Sequence, residues 1–166
     1  MTYPFNADEI FEIAEQIEVN GGKFYRRAAE LFEKAETQKL LNDLARMEDR
    51  HKAAFADIRD SLSTNELPPT VYDPQDQAVL YLQAFAEGKV FKVDKDIDAL
   101  FTGKETVEDI LHTAVCLEKD SILFYLGLRS LVPVDLGKEK IDHIIQEEMQ
   151  HIVILTKELA SLNKVQ

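Results

Sequence analysis

Glu48 and His51 stand three residues apart, and so do Glu148 and His151, 100 residues further along the chain. At that spacing a carboxylate and an imidazole project from one face of a helix and can grip a divalent cation together. One Glu-x-x-His is a weak motif, because many helices carry such a pair facing water. Here each pair is preceded, 30 residues earlier, by a further acidic residue, Glu18 or Glu118. Each pair also interrupts an apolar strip. The first strip is Leu41, Leu44, Phe55, Ile58 and Leu62; the second is Ile141, Ile144, Leu155, Leu159 and Leu162. Four carboxylates turned into an apolar core would cost many kcal/mol unpaired. No Lys or Arg lies on these inner faces to balance them. Two divalent cations would neutralise the four charges and take the imidazoles as neutral ligands. Oxygen and imidazole donors suit iron or manganese, and the thiolate that would favour zinc or copper is absent.

Four long segments with helical periodicity can carry these groups. The first runs from about Asn6 to Ala35, with Asn6 as N-cap, Phe5 stapling onto Ile10, and Ile10, Phe11, Ala14, Ile17, Phe24, Ala28 and Leu31 at intervals of three and four. The second runs from about Thr37 to Leu62. A third begins near Thr106, where Thr106 and Asp109 resemble a cap pair, and ends before Pro133. The fourth starts near Asp135 and reaches the last residues. Between the second and third, Pro68-Pro69 and Pro74 break the pattern. Asp73 could cap a short helix over Gln75 to Glu87 that Gly88 ends, and Asp94 to Phe101 adds one or two further turns. Short loops near residues 35 and 134 imply antiparallel helix pairs, and the long link implies a crossover between them.

Shifting the first helix pair by 100 lays it on the second without a gap, residues 6–62 against 106–162. Ten positions are identical, among them Glu18, Glu48, His51, Phe24-Tyr25 and the core positions Ile10, Ala14 and Leu31. With turns centred near Lys34 and Val134, all six Glu and His side chains sit about 21–26 Å from the turn end, at one level of a bundle. The expected architecture is therefore all-α, one domain over 1–166, built from two antiparallel helix pairs joined by a crossover over 63–105 that contains a short helix.

Composition excludes other classes. The chain has 166 residues, with 19 Lys and Arg against 31 Asp and Glu, so a phosphate backbone is a poor partner and no nucleic acid is expected. A single cysteine excludes a disulfide scaffold, a Cys-rich zinc module and a four-thiolate iron centre. Asp8, Glu9 and Glu12 stand where a signal peptide would need an apolar run, and no stretch approaches the roughly 20 apolar residues of a membrane span. The expectation is a cytoplasmic protein with no membrane partner. Cys116, His112 and His143 fall off the metal strips; Cys116 reads as a core cysteine and the histidines as surface residues. Glu147 and Asp120 adjoin ligand positions but point elsewhere, as solvated or outer groups.

With Glu18, Glu48-x-x-His51, Glu118 and Glu148-x-x-His151 in place, the sequence resembles the ferritin-like superfamily, and most the di-iron domain of rubrerythrins, over the whole chain. The resemblance implies a ferritin-like four-helix bundle with two iron ions. Glu48 and Glu148 would bridge them, with Glu18 and His51 completing one and Glu118 and His151 the other. Tyr25 and Tyr125, seven residues beyond a ligand Glu, would hydrogen-bond a ligand carboxylate or be plain core tyrosines. Two departures stand out. Full-length rubrerythrins add a rubredoxin domain with Cys-x-x-Cys pairs, whereas this chain has only Cys116, so electrons would come from a separate rubredoxin-like protein or flavoprotein. The extra inward Glu of the third helix is replaced by Ser121, and its repeat mate is Gly21. These small residues would leave space beside the metals for peroxide or oxygen, or else let helices pack closely.

The function implied is reduction of hydrogen peroxide by a di-iron oxidoreductase. The alternatives are ferroxidase activity or iron handling with oxygen as oxidant, manganese catalase chemistry, and a non-enzymatic metal-binding bundle. Homodimers are common in this superfamily, so a homo-oligomer is expected.

Overall fold

A computed structural model describes residues 7–64, 77–86, 96–132 and 134–162. Among them every regular element is helical: α1 (Ala7–Ala29), α2 (Ala35–Thr64), α3 (Gln77–Ala86), α4 (Val107–Leu131) and α5 (Lys138–Leu162), with 3-10 turns at Asp98–Leu100 and Val134–Leu136. The α1 and α2 helices pack along each other as one pair and α4 and α5 as another, and the pairs meet through α1 against α4 and α2 against α5. The short α3 lies on α4. No helix among the described residues is long and apolar enough to cross a membrane.

The helix boundaries follow local chemistry. Thr106 caps α4 with a complete capping box: its hydroxyl accepts from the Asp109 N–H at 3.1 Å, and its own N–H donates to Asp109 Oδ2 at 2.9 Å. Before α5, Gly137 adopts φ 118°, a backbone conformation that strains any L side chain. A Cβ there would also lie 2.9 Å from Ile58, so glycine lets this corner close onto α2. The first helix is shorter than its periodicity suggests. It ends at Ala29, the Leu31 N–H turns back to Ala28 O at 3.0 Å, and Leu31 is left 43% exposed. Leu31 is therefore not a core residue; Phe32, one position later, is buried in its place. The Asn6 cap, the Phe5 staple, Pro68-Pro69, Asp73, Pro74, Gly88 and Pro133 lie outside the described residues, as does the Leu62 side chain.

Among the described residues the core divides into two apolar clusters. One gathers Phe11, Ile17, Phe55, Phe124, Leu128 and Ile144 with their neighbours; the other gathers Phe24, Leu41, Leu44, Leu111, Leu155 and Leu159 with theirs. Each fully buried Leu or Phe contributes about 1.5–3 kcal/mol. Polar ties between the helices are individually weaker. Arg59 of α2 reaches Asp8 and Glu15 of α1, and Thr37 of α2 donates to Glu158 of α5 at 3.1 Å. Tyr25 belongs to one apolar cluster and Tyr125 to the other, and the carboxylates they touch lie between.

Candidate metal centre

Each of the four long helices delivers part of one buried cluster: Glu18 from α1, Glu48 and His51 from α2, Glu118 from α4, Glu148 and His151 from α5. None of the six is more than 4% exposed. They form two overlapping groups, Glu18, Glu48, His51 and Glu148 in one, and Glu48, Glu118, Glu148 and His151 in the other. Within each group one donor atom per residue lies within 4.8 Å of all the others. Glu48 and Glu148 belong to both. The two imidazoles stack with centroids 5.6 Å apart. His51 Nδ1 lies 2.9 Å from Glu148 Oε1 and 3.5 Å from Glu18 Oε2. His151 Nδ1 lies 3.0 Å from Glu148 Oε2 and 3.3 Å from both Glu48 Oε1 and Glu118 Oε1.

These atoms crowd together without satisfying one another. Glu18 Oε2, Glu48 Oε1, His51 Nδ1, both Glu148 oxygens and both His151 nitrogens are buried with no aligned hydrogen bond among the described residues. An orphaned buried polar atom costs about 1–3 kcal/mol, and a charged one more. No Lys or Arg is among the buried residues described. Donors that converge on common points rather than on each other fit a pair of cations, and an all-oxygen-and-imidazole set fits iron or manganese.

The tyrosines serve the cluster from across the bundle. Tyr25 donates its hydroxyl to Glu118 Oε1, and Tyr125 donates to Glu18 Oε1, so each braces the glutamate of the other helix pair. Burial, with the neighbouring Glu118 and Glu18 charges respectively, pushes both phenols well above their usual range, which keeps them neutral donors. One oxygen of each terminal glutamate is thereby engaged from outside the centre. The rings are packed edge-on against Phe24 and Phe124, at 5.8 and 6.0 Å between centroids.

Gly21 is explained by Glu48. A Cβ at position 21 would sit 3.1 Å from Glu48 Oε2 and 3.3 Å from its Cδ and Cγ, so glycine lets that carboxylate press against the α1 backbone. Ser121 turns its hydroxyl to Leu117 O, 3.1 Å away on its own helix. At position 21, therefore, close packing accounts for the small residue. Cys116 is exposed, not a core residue. Two residues from Glu118 is about 200° around the helix, and that side of α4 faces water. His112 and His143 are exposed. Glu147, which the sequence leaves as a solvated or outer group, is the outer partner of His51: its Oε2 lies 3.0 Å from His51 Nε2. Its place one residue before Glu148 was the available signal.

Burial and the charges of Glu48 and Glu148 push Glu18 well above the usual carboxylate range, and burial with Glu148 raises Glu118 to about 8. Burial opposes charge on His151, but Glu118, Glu148 and Glu48 outweigh it and hold the imidazole up at about 12. Burial likewise opposes a charge on Glu148, yet its contacts with Glu118 and the two histidines keep it a carboxylate. A cation bound here near pH 7 would therefore have to displace protons held by Glu118 and His151. Below a ligand's pKa the proton competes and above it the competition fades, so affinity should rise with pH, by about tenfold per pH unit for each proton displaced. Calorimetric titration with ferrous iron at pH 6 and pH 8, in buffers of different ionisation enthalpy, would count those protons.

No family model matches the sequence. A solved structure from Thermotoga maritima, described as that of a candidate ferritin-like diiron-carboxylate protein, superposes with a TM-score of 0.70. The match covers 96% of this chain and 98% of that one, at 23% identity. The fold is ferritin-like. A sequence relative, Protein SQS1 from Vanderwaltozyma polyspora, is 33% identical over 120 residues, which is 72% of this chain. The matched region spans only 14% of that protein's length, so SQS1 says little of what the ferritin-like bundle does.

Proposed function

We propose that the ferritin-like bundle is a di-iron oxidoreductase that reduces hydrogen peroxide to water, with electrons returned by an external donor such as a rubredoxin-like protein or flavoprotein. The observation that carries this reading is the pair of overlapping four-residue groups sharing Glu48 and Glu148. Glu48 and Glu148 would span both ions, with Glu18 and His51 on one and Glu118 and His151 on the other. When bound, two ferrous ions supply the two electrons that, with two protons, convert one hydrogen peroxide to two waters.

The chain's own residues set the conditions for that chemistry. Once their protons are displaced, the four carboxylates would balance the charge of two divalent cations. Tyr25 and Tyr125 hold Glu118 and Glu18 in orientation by their hydroxyl bonds, and the two apolar clusters keep bulk water from either end of the site.

Anaerobic loading with ferrous iron, followed by parallel stopped-flow mixing with peroxide and with air, tests the proposal through the near-ultraviolet ferric absorbance. Much faster oxidation by peroxide, saturating at two irons per chain, is the expected result. Faster oxidation by air, continuing past two irons, would move the assignment to ferroxidase and iron storage, which also needs a hollow multi-subunit shell. A gel-filtration mass near that of a dimer would speak against such a shell.

A further inference from the structure

The two halves of the centre match at the ligands but differ immediately behind them. His51 Nε2 meets Glu147 Oε2 at 3.0 Å, and that carboxylate is itself 3.3 Å from His143 Nδ1. His51 and Glu147 line a surface pocket of about 380 Å³ together with Arg50, Glu139, Lys140 and His143. On the other side, His151 Nε2 is buried and has no hydrogen-bond partner among the described residues. At the 100-residue offset the counterpart of Glu147 is Met47, and Lys140 and Ala54 are answered by Leu40 and Ile154. Met47 and Leu40 pack against the apolar core. A thioether accepts hydrogen bonds only weakly.

This difference bears directly on ligand quality. An imidazole that binds a metal through Nδ1 must carry its proton on Nε2, and a carboxylate accepting that N–H fixes the tautomer, orients the ring and raises its basicity. His51 has such a carboxylate. His151 in the same tautomer would bury an N–H that no described residue receives, which costs binding energy. We infer that the two ion positions are unequal: the one completed by Glu18 and His51 binds more tightly and fills first, because Glu147 positions His51, while the one completed by Glu118 and His151 fills second. Glu147 is a positioning residue, acting through His51 and touching no ion. The inference rests on the metal-centre reading above.

Anaerobic calorimetric titration with ferrous iron, alongside Mössbauer spectra at one equivalent of iron-57, separates the two ideas. Wild type should show two binding steps whose affinities differ by about 10–100-fold, and one dominant ferrous signal at one equivalent. Glu147→Ala should weaken the tighter step by about that factor and spread one equivalent over both positions, with an unchanged melting temperature of the metal-free protein. Glu147→Asp should restore part of the gap, and Met47→Glu should tighten the weaker step. Two ions bound equally in wild type, or two steps left unchanged by Glu147→Ala, would overturn the inequality while leaving the metal centre intact. Failure of the wild-type chain to bind iron at all would overturn both.

Discussion

Replacing Glu48 by Ala is expected to empty both ion positions, not one. Glu48 belongs to each of the two ligand groups, so its removal takes a donor from each and leaves three residues at either position. Loss of a mere outer partner weakens a metal by 10–100-fold, and loss of a shared ligand should cost more at both positions together. Glu18→Ala provides the contrast, because Glu18 serves one group only and its loss should spare the position served by His151. Metal content after anaerobic loading and desalting, with helix content followed by circular dichroism, reads both variants. Two ions retained in folded Glu48→Ala would remove the basis for the site assignment.

The second large effect is thermal. The metal-free centre concentrates four carboxylates and leaves seven buried polar atoms without aligned partners among the described residues, so the empty fold carries a penalty at its middle. Ions that bind the folded chain and not the unfolded one stabilise by about 4 kcal/mol per site at a thousandfold excess over Kd, or roughly 8 kcal/mol for two. For a chain of this length each kcal/mol moves the melting temperature by about 2–4 °C, giving a rise of roughly 15–30 °C on loading with ferrous iron or manganese. Differential scanning calorimetry under anaerobic conditions measures it. The rise should vanish in Glu48→Ala; an equal rise there would mean that the ions stabilise the fold from somewhere else.

Much of this was legible in the sequence because the informative signal is periodic. Glu48, His51, Glu148 and His151 stand in register with Leu41, Leu44, Ile141 and Ile144, and a helix turns such a register into a single face. The repeat at an offset of 100 added the level of Glu18 and Glu118. What stayed hidden depends on which helix lies opposite. Tyr25 lies on the face of Glu18, yet its hydroxyl goes to Glu118; spacing along one helix says nothing of that crossing. Glu147 reads as a solvated or outer group because it is one residue from the ligand face, and only the approach of α2 shows that its partner is His51. Leu31 and Cys116 misled for a simpler reason. Apolar character signals burial only where a neighbouring element arrives to cover it, and at these positions none of the described residues does.

The crossing of the two tyrosines has a consequence for how such a molecule could arise. Each ligand group takes a residue from the opposite hairpin, and each terminal glutamate is steadied by a hydroxyl from that same hairpin. A single hairpin of this sequence type would supply only three of the four residues of a group, and two copies meeting face to face would complete both. Joined in one chain, the halves meet at an effective concentration set by the connecting segment, independent of how much protein the cell makes. Fusion also frees the halves to diverge, so that position 47 need no longer match position 147.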